Sequence, residues 1–349
     1  MIIADRQSLT DVDERLEALL AERIERAESA GHAYGRLWTR IRDAIRGGKR
    51  IRPQLLLRAH AALGGGEPRG AVTAAAAFEL LHTALLVHDD MLDGDLVRRG
   101  ETNLQGAFVA EALDGGSSVE ASTAWGGAAG LLAGDLLISA VHSLLAEIPA
   151  PQSRGIQTLV DECLFATAAG EFADIGLSVG TLEPTPDEIS RMMRNKTAAY
   201  SFAAPLRAGA VLAGADARID AELDEIGTLL GFVYQLRDDL LGVFGSEELL
   251  GKSVDGDLRE GKRTLLIAYA EGTDAWEEVR HLFGRRSLDA DDAQRMRAAL
   301  IESGARSRAE LLLARECDAA IRRIERSALP APLRDELAQL ARRCAERES

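Results

Sequence analysis

Aromatic residues are scarce in this chain: Phe, Trp and Tyr together fill only 4% of its 349 positions. Apolar residues seldom alternate with polar ones at period two, so an architecture built from strands is not expected. Cysteine is thin as well. Cys163, Cys317 and Cys344 are odd in number and lack CxxC spacing, which argues against a disulfide framework, gives no hint of zinc and fits a reducing compartment. Positive charge is in deficit, with 41 Lys and Arg against 56 Asp and Glu and a net charge of −15. Nucleic-acid binders are usually basic on at least one face, so nucleic acid is not an expected partner. The longest apolar candidate, AVTAAAAFELLHTALLV from 71 to 87, is interrupted by Glu79 and His82. It reads as a buried core helix rather than a membrane span. The opening MIIADRQSLTDVDER has no basic region followed by an apolar core, so no signal peptide and a cytoplasmic location are expected.

An activated nucleophile is also missing. The chain has no GxSxG elbow, no Cys–His pairing signal, no Walker-type lysine loop and no GxGxxG after a strand. Any chemistry must then come from charge rather than from covalent attack.

What the chain does have is helix-forming material. Hydrophobic residues make up 46%, enough to offset the entropy of ordering, and Ala, Leu, Arg and Glu dominate. Apolar residues recur at three- and four-residue spacing almost throughout. Ser8 or Thr10 is expected to cap a first helix with Val12, Leu16, Leu19, Leu20 and Ile24 on one face. A second helix is expected from Ala33 to Ile45, stopping at Gly47 and Gly48, and Pro53 should open a third. Others follow over 70–91, 152–179 and 221–244, with Pro205 kinking or restarting a helix. The stretch 245–264 is the one long polar connection, of the kind that is often functional. The expectation is one all-α domain, 1–349, of a dozen or so helices, with the motif-bearing region at 47–264.

The densest chemistry is LLVHDDMLDGDLVRRGETN at 85–103, which ends the greasiest helix. Asp89 and Asp93 are four residues apart, so their carboxylates share a helix face and repel, with Asp90 about 100° round. A cation must offset them. Carboxylate-only donors favour a hard divalent ion, and magnesium with retained waters and substrate phosphates fits best. YQLRDDLLGVFG repeats the pattern at Asp238 and Asp239. Basic residues stand beside glycines and acidic motifs: Lys49, Arg50 and Arg52 in RGGKRIRP, Arg98 and Arg99, Lys196 in NKTA, Lys262 and Arg263 in EGKRT. In an acidic protein these point to phosphate. His82, two helical turns before Asp89, is a further candidate phosphate donor. Together these features suggest apolar helix walls holding a hydrocarbon and a charged rim holding its diphosphate.

These residues make the chain resemble the trans-isoprenyl diphosphate synthases, or polyprenyl synthetases. The motifs occur in family order: GGKRIRP, ELLHTALLVHDDMLDGDLVRRG, AGDLL, GEFAD, KTA, YQLRDDLLGVFG and GKSVDGDLREGKRT. The resemblance implies an all-α fold around a deep central cavity, a homodimer, and magnesium as cofactor at about three ions per site. Asp89, Asp93 and Asp238 would hold the metal, with Asp90 and Asp239 supporting. Lys49, Arg52, His82 and Arg99 would bind isopentenyl diphosphate. Arg98, Lys196 and Lys262 would grip an allylic diphosphate (dimethylallyl, geranyl or farnesyl), with Thr197 and Gln235 nearby and 245–264 as a flap. The implied reaction is magnesium-assisted ionisation of the allylic diphosphate, attack by the double bond of isopentenyl diphosphate, and loss of a proton. The family's chain-length gate falls at Ala84 and Leu85, which lack aromatic bulk, so geranylgeranyl diphosphate is the expected product, ahead of longer polyprenyl chains and farnesyl. A class I terpene cyclase would need an NDxxSxxxE-type second site, which is missing, and a non-catalytic subunit would tend to lose an acidic motif. Three departures stand out: Gly242 in place of a third aspartate, RRGETNLQG without the commoner proline, and Glu171 where many relatives carry glutamine.

Overall fold

Three- and four-residue spacing becomes helix almost everywhere. The computed structural model describes residues 6–98, 100–246 and 254–347, and these are overwhelmingly α-helical. Helix α1 (Arg6–Ala30) buries Val12, Leu16, Leu19, Leu20 and Ala27 as one stripe, while Ile24 is only half-buried. Ser8 and Thr10 lie inside this helix instead of capping it, because no Gly or Pro interrupts the winding that is already under way at Arg6. Helix α2 (His32–Ile45) ends just before Gly47 and Gly48, whose φ angles of 81° and 86° suit glycine. Helix α3 (Ile51–Ala62) carries Pro53 in its first turn.

Contacts gather the chain into two compact units, residues 2–159 with 205–216 and residues 160–204 with 217–349. No linker announces the division, since α7 (Gln152–Ser178) is one continuous helix that begins in the former and ends in the latter.

In the first unit, α4 (Arg69–Asp93) packs against α1, α3 and α6 (Val119–Leu145). Ala74, Ala75, Ala76, Ala77, Leu80, Leu81 and Ala84 are all fully buried, and over 71–81 the helix is covered on every side, as its all-round apolar surface there requires. By length and composition α6 is also apolar enough to cross a membrane, which the sequence reading granted to no segment; α4 is mostly buried inside its unit and α6 half-buried. Gly94 turns the chain at φ 72° after α4. Strands β1 (Val97–Arg98) and β2 (Glu101–Thr102) then pair antiparallel, Val97 with Thr102 and Arg98 with Glu101. The all-α expectation is left intact by this hairpin of two-residue strands. Asn103 closes it by capping α5 (Leu104–Asp114), accepting from the Gly106 N–H at 2.8 Å.

In the second unit, α10 (Ala217–Phe244) packs against the segment Arg194–Ala203 and against helices Ala305–Glu325 and Ala331–Glu346. Helix α8 (Pro186–Met193), capped by Thr185, runs straight into that segment, which is wound as a π-helix. Helix α9 (Ala204–Ala213), with Pro205 in its first turn, restores ordinary winding. Within 245–264, residues 247–253 lie outside the described residues, and Gly256–Glu260 forms one short helix. Beyond it, Leu265–Ala270, Asp274–Val279 and Ala290–Glu302 are separate helices. Gly272 and Gly284, each at φ 77°, interrupt them.

All three cysteines are free and buried. Burial pushes the Cys344 thiol up to about 12 and raises that of Cys317 as well, so neither is a thiolate at neutral pH. The native protein should therefore react with Ellman's reagent at pH 8 only slowly, with all three thiols appearing on denaturation. A fast-reacting thiol in the native state would contradict this packing.

Candidate active site

Carboxylates at the C-terminal end of a helix oppose both its dipole and one another. In the first unit this tension sits at the end of α4. Asp90 is buried, Asp89 half-buried and Asp93 exposed at the last helical position. The β1–β2 hairpin answers it by folding Arg98 back onto the cluster. Its Nη2 lies 2.8 Å from Asp89 Oδ2, and its Nε donates to Asp90 Oδ1 at 2.6 Å. Burial raises the Asp90 pKa, Asp89 and Asp95 push it further, and the Arg98 hydrogen bond pulls the other way. Upstream on α4 lie His82, half-buried, then Ala84, fully buried, and Leu85, half-buried. Lys49 is exposed and Arg52 half-buried around the start of α3. Arg99 lies outside the described residues.

In the second unit, α7, α10 and the π-helical segment carry a separate set of charged and polar side chains. Lys196 Nζ is 2.7 Å from Asp174 Oδ2 and 3.0 Å from Glu171 Oε2. Thr197 donates its hydroxyl to Gln235 Oε1 at 2.9 Å, and the Gln235 amide donates to Asp239 Oδ1 at 2.8 Å. Asp239 is buried, and burial, reinforced by Asp257 and Asp238, lifts its pKa to about 8 against the opposing pull of Gln235 and Lys262. Asp238 is held by Arg347, whose Nη2 donates to Oδ1 at 2.7 Å and whose guanidinium stacks 4.0 Å over the Tyr234 ring. Lys262 Nζ is 3.2 Å from Glu260 and 3.9 Å from Asp257.

Glycines give the π-helical segment its place. A π turn is wider than an α turn, so neighbouring backbones must stand close without side chains between. A Cβ at Gly170 of α7 would collide with the Lys196 backbone, and one at Gly231 of α10 with Ala198. Pro205 lies just past the segment's end and has no N–H to donate back to it. Lys196 and Thr197 are thereby set by backbone contact.

The departure at position 242 has a physical counterpart. A Cβ on Gly242 would strike the Asp257 carboxylate, so a carboxylate from another segment fills the space beside α10 that a third motif side chain would need. Glu171 likewise acts as a second anion for Lys196. Arg347, Asp174 and Asp257 were not assigned from sequence. Asp174 could have been found as the residue one turn after Glu171, whereas Arg347 is more than a hundred residues from Asp238 and carries no local signal.

Among the described residues, no three His, Cys, Asp or Glu side chains converge on a ready-made metal cage. Each unit instead offers carboxylate oxygens already aimed at a cation, Arg98 in one and Arg347 in the other. That donor set suits magnesium, which prefers a few carboxylates and fills its octahedron with water and phosphate oxygens.

The polyprenyl synthetase family model matches residues 37–300. The chain is 35% identical over 226 residues to a short chain isoprenyl diphosphate synthase of Methanothermobacter thermautotrophicus, covering 64% of this chain and 63% of that protein. It is 34% identical over 270 residues to a geranylfarnesyl diphosphate synthase of Aeropyrum pernix, covering 76% and 79%. The crystal structure of geranylgeranyl pyrophosphate synthase from Corynebacterium glutamicum, complexed with isoprenyl diphosphate and magnesium, superposes with a TM-score of 0.89 at 26% identity, covering 99% and 100%. The fold is thus the all-α isoprenoid synthase type.

Substituting Gly231→Leu should overpack the segment that carries Lys196. The expected loss is about 1–3 kcal/mol of stability in urea unfolding, together with a weakened Thr197–Gln235 contact. A variant as stable as the parent would show that this close approach is not needed.

Proposed function

We propose that this chain, which belongs to the polyprenyl synthetase family, condenses isopentenyl diphosphate with an allylic diphosphate to make a linear all-trans prenyl diphosphate. The observation that carries the reading is the pair of acidic helix segments, Asp89–Asp90 and Asp238–Asp239, each seating an arginine and each accompanied by basic residues. Such an arrangement suits a ligand that is anionic, metal-bridged and attached to a hydrocarbon.

Asp89, Asp93 and Asp238 would hold magnesium, with Asp90 and Asp239 behind them. When bound, the metal supplies positive charge against the departing diphosphate. Arg98, Lys196 and Lys262 bind the allylic diphosphate, and Lys49, Arg52, His82 and Arg99 bind isopentenyl diphosphate. The Thr197–Gln235–Asp239 chain orients the second acidic pair. In the reaction the allylic C–O bond breaks and pyrophosphate leaves. The double bond of isopentenyl diphosphate then forms the new C–C bond, and a proton passes to the pyrophosphate. No side-chain base is required, in keeping with the missing nucleophile motifs.

Ala84 sets the product reading. It offers only a methyl at the gate, beside the half-buried Leu85, and this supports growth to geranylgeranyl diphosphate. A homodimer is part of the same reading. Helix α6 exposes Trp125, Leu131 and Leu132, and α7 exposes Phe165 and Phe172 at 81% and 78%, apolar area that a second copy would cover.

Incubation with labelled isopentenyl diphosphate, each allylic primer and magnesium should give a twenty-carbon product. Replacing both Asp89 and Asp238 with Ala should lower turnover at least roughly a hundredfold, and unchanged turnover in that double variant would remove the metal role. The substitution Ala84→Phe should shorten the product, so an unchanged chain length would misplace the gate. Light scattering should report a dimer in the parent and a shift toward monomer in Phe172→Glu; a monomeric parent would remove the dimer.

A further inference from the structure

Arg50 is the only non-glycine residue with positive φ among the described residues, at φ 48° and ψ 41°. Left-handed backbone is unfavourable for a side chain with a Cβ, and such strain persists only where the surroundings enforce it. Here the enforcing partners are visible. Arg50 Nη1 donates to Glu79 Oε1 at 2.9 Å and to the Ile45 carbonyl at 3.0 Å, while Nε and Nη2 reach Asp13 at 3.0 Å. One guanidinium thus ties α1, the end of α2, the start of α3 and the middle of α4.

Glu79 makes the arrangement more demanding. Its side chain is 6% exposed, and Oε2 is buried with no hydrogen-bond partner. A half-satisfied buried carboxylate is unfavourable for stability alone, since an apolar pair of similar shape often serves as well or better. Its placement suggests another use. Glu79 lies one turn before His82 on α4, and Arg50 lies between Lys49 and Arg52 on the glycine loop. The loop itself is pinned from the other side, where Gln54 Nε2 donates to the Lys49 carbonyl at 2.6 Å.

We propose that the Arg50–Glu79 pair is a strut that fixes the spacing between the cationic loop at Lys49 and Arg52 and the α4 face that bears His82. Neither residue need touch the ligand. Both are positioning residues, and they set affinity for the diphosphate that this loop holds. The inference deepens the functional reading above and rests on its assignment of isopentenyl diphosphate to these side chains.

Three variants separate a strut from a simple core ion pair. Arg50→Gly keeps the left-handed backbone without strain and removes the tie, Glu79→Gln keeps a hydrogen-bond acceptor and removes the charge, and the double variant combines them. Each should raise KM for isopentenyl diphosphate roughly tenfold, with kcat and the allylic KM within about twofold of the parent. The double variant should be no worse than either single one, as expected for residues acting as one unit. Calorimetry with inorganic pyrophosphate in EDTA reads the same loop without turnover, and its Kd should weaken by a similar factor. Unchanged KM and Kd in all variants would overturn the strut, as would parallel rises in both KM values that follow lost thermal stability. A parent that binds pyrophosphate but turns over neither substrate would instead overturn the functional reading, and the strut would then stand or fall on the Kd comparison.

Discussion

Crowding carboxylates onto a helix is electrostatically unfavourable, and much of this structure answers that single difficulty. Two like charges about 4 Å apart near a protein surface repel by about 4 kcal/mol, several times the ~0.3–1 kcal/mol that a helix dipole exerts on a terminal charge. The neighbours of the acidic pair therefore matter more than the helix end itself. On α4 the answer is Arg98, delivered by a hairpin of two-residue strands. On α10 it is Arg347, delivered from the far end of the sequence and stacked on Tyr234. The hairpin is too short to bury a face of its own.

The second constraint is width. A π-helical stretch is rare, and its single-turn forms often mark functional sites. Here ten residues adopt it, next to glycines that leave room on α7 and α10. Winding, clearance and the Pro205 restart agree with one another. The result is that Lys196 and Thr197 leave one short segment toward different partners, Lys196 toward the acids of α7 and Thr197 toward Gln235 of α10.

Much of this was legible in the sequence. The helices were, because Val12, Leu16, Leu19 and Leu20, or the alanine run of α4, repeat at the helical period and the period alone dictates which face is buried. The acidic pairs and their basic neighbours were legible because charge beside long apolar runs has few explanations. Other features leave no local trace. A π segment of only ten residues between α-helices is too short to show a hydrophobic period of its own, so only Pro205 hinted at it. The strands Val97–Arg98 and Glu101–Thr102 are too short to show alternation. Arg347 meets Asp238 across more than a hundred residues, and one Arg among many in the last helices carries no mark. The space opened by Gly242 for Asp257 reads in sequence only as a missing residue.

Three of the basic residues named above are already paired. Arg98 sits on Asp89 and Asp90, Lys196 on Asp174 and Glu171, and Lys262 beside Glu260 and Asp257. An anion that draws Arg98 away leaves two carboxylates uncompensated and so raises their affinity for a divalent cation. A cation seated on those carboxylates frees the guanidinium for an anion. Linkage of this kind is reciprocal by thermodynamic necessity, and in a chain of net charge −15 it would admit a strongly anionic ligand without a standing excess of positive charge. The same pairings order each side chain beforehand, so less ordering would remain to be done for an anion that replaced the carboxylates. Glu171 fits this pattern, because a second carboxylate on Lys196 would deepen the coupling between losing an acidic partner and gaining an anion.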